Sequence, residues 1–143
     1  MATTRVFSKQ EKIAKVETIS ANRTLTASDT GKVFYLDATA GKTIILPAVS
    51  IDGWNAKFII AAAFATTNWI IDSAEGDNIN GLIMDMGSTV AGVPAVGEDQ
   101  INFVATAETI GDWAELIADN GNSQWIVKGV CAVNGGITVT DPS

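Results

Sequence analysis

Between Leu25 and Thr140 the chain is cut into short apolar runs by turn residues, and that rhythm limits the available folds more than any other feature. Lys32–Ala38 (KVFYLDA), Thr43–Leu46 (TIIL), Lys57–Ala65 (KFIIAAAFA), Asn68–Asp72 (NWIID) and Ser123–Val133 (SQWIVKGVCAV) are rich in residues that suit a pleated, half-buried surface. Gly, Pro, Asn and Asp stand between them. No stretch keeps the apolar period of a helix for more than about two turns. The pattern predicts an all-β chain: a single β-sandwich or barrel-like domain of about nine or ten short strands with an extended N-terminal arm. A chain of 143 residues suits one such domain and can build a core without metal or disulfide.

Turn chemistry suggests the pairings. Thr39-Ala40-Gly41 reads as the turn of a hairpin joining Lys32–Ala38 to Thr43–Leu46, with Pro47 ending the second strand. Leu82–Met84 and Ser88–Val90 read as a second hairpin around Asp85-Met86-Gly87, followed by a loop over Ala91–Glu98. Gln100–Ala105 alternates as a half-buried strand. Asp112–Ala118 and Ser123–Val133 form a third hairpin, because Asn120-Gly121 accepts positive φ. Trp113 and Trp125 are then expected as a cross-strand aromatic pair. Ile137–Val139 is the last short strand.

Residues 1–23 read as the arm and residues 24–143 as the body. Within the arm, Gln10–Glu17 is compatible with two helical turns that need a surface to settle on. Charge divides at the same place. Met1–Arg23 carries five bases and two acids, and the remainder four bases and fourteen acids, giving +3 and −10. An acidic body repels the phosphate backbone, so nucleic acid is not an expected partner. The stretch Met1–Ser20 lacks the apolar segment of a secretory signal. The longest charge-free apolar stretch, Phe58–Ile71, is broken by Thr66-Thr67-Asn68 and falls short of the ~20 residues a bilayer helix requires. No membrane partner is expected.

Little reactive chemistry is on offer. The chain has no histidine, which removes the commonest general base and metal ligand. Cys131 is the only cysteine, so it forms no intramolecular disulfide and reads as a core filler. Gly41-Lys42-Thr43 echoes the end of a phosphate loop, but Leu36 stands where that motif needs glycine, and a strand follows instead of a helix. Asp72, Glu75 and Asp77 share a loop without the spacing of a helix-loop-helix calcium site. Glu98-Asp99 and Asp112/Glu115 read as surface charges. Trp54, in Ile51–Asn55, is the best candidate for stacking on a sugar, and its competing reading is a lid over the open end of a sandwich. No catalytic residue, cofactor or metal is expected, and the chain reads as a non-enzyme.

The run Leu25–Asp37 (LTASDTGKVFYLD) followed by Gly41–Pro47 (GKTIILP), and Ala114–Asp119 (AELIAD) followed by Asn122–Gly129 (NSQWIVKG), resemble a module that recurs in tailed-bacteriophage virion proteins, head decoration (cement) proteins among them. The likeness covers most of residues 24–140 and lies in strands and turns rather than in an active-site motif. It implies a homotrimer made in the bacterial cytoplasm and seated on the outer capsid surface of the virion, with the major capsid protein as partner. Fibre or tail adaptors share the module. A carbohydrate-binding β-module is the other alternative, and it requires Trp54 or Trp69 to be exposed. On the decoration reading, Arg5, Phe7, Lys9, Lys12, Ile13 and Lys15 contact the capsid or a neighbouring subunit. The body self-associates through apolar strand faces or edges, and removal of residues 1–20 leaves it folded.

Overall fold

The computed structural model describes residues 15–74, 76, 78–89 and 92–142, and it is all-β. Its strands are β1 (Lys15–Ile19), β2 (Arg23–Thr24), β3 (Lys32–Leu36), β4 (Thr43–Ile45), β5 (Asn55–Ile60), β6 (Trp69–Asp72), β7 (Ile79–Asp85), β8 (Val93–Glu98), β9 (Gln100–Phe103), β10 (Trp113–Asp119), β11 (Gln124–Cys131) and β12 (Ile137–Thr140). They form a seven-stranded sheet in the order β1-β3-β5-β10-β11-β7-β8 and a five-stranded sheet in the order β12-β9-β6-β4-β2.

The two sheets are wound together. Successive strands β1 to β6 alternate between them, so β1, β3 and β5 run parallel in one sheet while β2, β4 and β6 run parallel in the other. Each pair of strands is one coil of a flattened spiral. The chain then reverses: β9 lies antiparallel to β6 and β10 antiparallel to β5. Strands β11 and β12 add a last coil against β10 and β9. The β7–β8 hairpin extends the larger sheet beyond β11.

This winding overturns the first expected hairpin. Strands β3 and β4 lie in different sheets, and Gly41 serves a close crossing rather than a turn. A Cβ on Gly41 would sit 2.1 Å from the carbonyl carbon of Asn68. The stretch expected as a loop over residues 91–98 holds edge strand β8, which tolerates Pro94 because an edge strand needs no second ladder. The expected β10–β11 hairpin is present, but its turn is the 3-10 turn Asn120–Asn122, with Ser123 at φ 54° in the left-handed position. Trp113 faces Val130 and Trp125 faces Ala118, so the two tryptophans lie on opposite faces and are no pair.

Inward side chains stack in columns along the winding, which fills the space between the sheets. Phe34 on β3 lies over Phe58 on β5, rings 5.5 Å apart and inclined by 17°. Trp54 and Trp125 meet edge to face at 5.5 Å. Cys131 is fully buried, as a small core residue should be. Trp54 is also in the core, 1% exposed, with its indole N–H donated to the Thr26 carbonyl.

The division between arm and body falls earlier than residue 23. Lys15–Ile19 pairs with β3 from Lys15↔Lys32 to Ile19↔Leu36, and Arg23–Thr24 pairs with β4. Lys15, Val16 and Glu17 are therefore extended rather than helical, and the rest of the expected helical segment lies outside the described residues. A truncation that spares the sheet has to stop at Ala14.

Candidate interaction surface

The exposed end of a wound core needs a cover, and here it is ionic. The column Phe58, Phe34 ends at Glu17 on edge strand β1. Around it gather Arg23, Asp29 and Lys32. Arg23 pairs with Glu17 and reaches Asp29 at 2.9 Å, while the Lys32 ammonium lies 2.8 Å from Glu17 and 2.7 Å from Asp29. The Arg23 guanidinium sits 5.5 Å above the Phe34 ring. Burial alone would push the Asp29 carboxyl up, but Lys32, the Thr26 amide and Arg23 together hold it below its ordinary value. Hydrogen bonds from Arg23 and Lys32 do the same for Glu17. Two acids and two bases cancel, which makes the cluster a plug rather than a binding site for an ion.

The other candidate groups are similarly committed to the fold. Asp112 is 4% exposed, not a surface charge, and its carboxylate accepts the amides of Thr109 and Ala132. Asp85, also buried, accepts those of Gly87 and Gly135. Asp99 is buried between β6 and β12, bonded through its backbone to Ser73 and Thr140. Asp72 takes the side-chain amide of Gln100; Glu75 and Asp77 lie outside the described residues. Among the described residues no three Cys, Asp or Glu side chains are placed to share a metal ion. Burial pushes the Cys131 thiol up, away from the thiolate that nucleophilic chemistry needs. Trp54 and Trp69 are both buried, so the tryptophans singled out for sugar stacking present no ring to solvent. A polar cleft of about 450 Å³ runs past Asn22, Lys42, Thr43 and Thr67. Asn22 and Thr67 spend their side chains there on the Thr43 amide and the Gly41 carbonyl.

What remains unusual is the outer face of the seven-stranded sheet. A sheet with one face in water normally alternates apolar inside with polar outside. The five-stranded sheet obeys, with Asp72, Gln100 and Thr140 aligned across its outer face. On the larger sheet the registers align three outward rows rich in apolar residues, and a fourth, Asp119 with Gln124, that is polar. One runs Thr18, Tyr35, Ile59, Trp113, Val130, Met84. Another runs Asn55, Ile117, Ile126, Asn80, Val96. Between them lies Val16, Val33, Lys57, Glu115, Lys128, Leu82, where the charges are confined to three central strands. Tyr35, Leu82, Met84, Val96 and Ile117 are 39–75% exposed. A nearly apolar cleft of about 220 Å³ opens among Leu82, Met84, Trp113 and Val130. The Lys57 ammonium lies 4.2 Å above the Trp113 ring. Among the described residues Glu115 has no ion pair, although Lys57 and Lys128 are its cross-strand neighbours.

Of the residues expected to make contacts, Lys15 is exposed at the start of β1, which pairs on one side only among the described residues; Arg5, Phe7, Lys9, Lys12 and Ile13 lie outside the described residues. The sheet face escaped residue-by-residue reading because the outward phase of β10 mixes Trp113 and Ile117 with Glu115 and Asp119, while Ala114, Leu116 and Ala118 point inward. No protein-family model matches the chain, and a search of curated proteins finds no significant match.

Proposed function

We propose that the chain is a structural protein of a tailed-bacteriophage particle, which binds the outer surface of the head as an oligomeric decoration, or cement, protein and catalyses nothing. The observation that carries this reading is the apolar outer face of the seven-stranded sheet. A contiguous apolar surface on a folded chain marks a place of association. The described acids that might have served chemistry instead accept backbone amides or close the core. The resemblance to phage virion modules supplies the setting, and its segments coincide with β3, β4, β10 and β11, which build this body.

The basic arm supplies the second contact. An arm bears an ordering cost on binding but covers a large area of its neighbour, and repeated weak contacts on a lattice add through avidity. Charge reversal of Lys9 and Lys12 in the full chain should weaken attachment to empty heads at least tenfold, about 1.4 kcal/mol, without altering the melting temperature. Co-sedimentation with heads reads the first quantity and circular dichroism the second. Unchanged occupancy of the heads by the charge-reversed protein would remove the arm from the account.

A further inference from the structure

We infer that a second copy of this chain packs on the outer face of the seven-stranded sheet, about a two-fold axis running along the strands above the seam between β10 and β11. The inference rests on the proposed self-assembly and gives it a surface and a symmetry. It replaces the threefold arrangement that the resemblance implies.

Registers decide the axis. Rotation about that seam sets β10 over β11 of the second copy, β5 over β7 and β3 over β8, and keeps each row on itself. Trp113 then faces Val130, Ile117 faces Ile126 and Ile59 faces Met84 of the second copy. Glu115, which has no ion pair among the described residues, faces Lys128, and by symmetry the pair forms twice. Lys57 faces Leu82, on which its aliphatic stem can lie while its ammonium stays over Trp113. An axis above β10 itself would set Glu115 against Glu115. The neighbouring seam, between β5 and β10, brings Glu115 to Lys57 but stacks Asn55 on Ile117 and Lys128 on Val33.

Six overlapped strands about 4.8 Å apart, each covered over about five residues, give a footprint on the order of 500 Å². That is small for a specific interface, so dimerisation should depend on concentration in the micromolar range. Strand β1 falls outside the overlap. Lys15, exposed at the start of β1, is not covered by it.

Sedimentation of the full chain across the micromolar range tests this. The mass should rise from 14.9 kDa to twice that value. Val130→Glu, an outward change on β11, should hold the chain at 14.9 kDa with its circular dichroism intact. Glu115→Lys should weaken the dimer about tenfold, and Glu115→Lys with Lys128→Glu should restore it. A monomer at every concentration would overturn the inference, leaving the face to the chain's own first fourteen residues or to the head. So would a trimer, or a dimer that Val130→Glu leaves intact. A dimer broken by Val130→Glu that ignores phage heads would uphold this interface and remove the decoration reading instead.

Discussion

Asp29 does more for the N-terminal coil than its length suggests. Its carboxylate receives Lys32, Arg23 and the Thr26 amide while itself 4% exposed, so it ties β2, β3 and the intervening 3-10 turn together. Asp29→Asn should cost about 1–3 kcal/mol in urea unfolding at neutral pH, the usual range for a charged hydrogen-bonding group that loses its role. The same residue sets an acid limit. Asp29 and Glu17 are held below their ordinary values when folded, so the unfolded chain takes up protons first as pH falls. Their stabilisation is therefore complete above the ordinary carboxylate range, about pH 4, and is lost as pH drops through the folded values. The melting temperature should be level from neutral pH to about pH 5 and fall below about pH 4, with a shallower fall in Asp29→Asn. An equally steep acid limb in that variant would contradict the assignment. At this scale the sequence was legible for Cys131, expected as a core filler and found buried. It was not legible for acids. Asp99 and Asp112 look like surface charges until the turns that fold over them are known.

At the scale of elements, most strand positions were readable, but of the strand partners only the β10–β11 hairpin was read as it stands. Most apolar runs after residue 30 overlap a real strand, because branched and aromatic residues mark pleated backbone locally, but Ser88 and Thr89, expected in a strand, are bends, and the partner of β7 lies later, at β8. Whether β3 turns back on β4 or crosses to the opposite sheet is decided by distant neighbours, β5 for one and β6 for the other. Two glycines record that decision. Gly41 lets the chain cross beside Asn68, and Gly81 lets β7 lie against β11, where a Cβ would fall 2.0 Å from the Val127 carbonyl oxygen. Gly81 also has φ 145°, a backbone conformation side chains rarely adopt. Gly81→Ala should destabilise the protein by about 1–3 kcal/mol or more, through overpacking and strain together. Hydrogen exchange should locate the loosening in β7 and β8, leaving β1 to β6 protected. Uniform loss of protection would mean that the hairpin is integral to the wound core.

For the whole molecule, the two sheets differ in purpose because their outer faces differ in character. One is polar and suits water; the other aligns Tyr35, Ile59, Trp113, Val130 and Met84 across five strands. The interior accounts for the large aromatics, among them Trp54, Trp69 and Trp125, so this outward row is surplus to folding. Sequence alone showed an all-β body; the face proposed for its assembly emerged only when registers fixed which alternate residues point outward. The direct test of the proposed decoration role is to mix the full chain with empty tailed-phage heads, pellet the heads and measure bound protein against protein added. Saturable binding at a fixed number of copies per head is predicted. Protein that stays in the supernatant at every concentration would contradict the account.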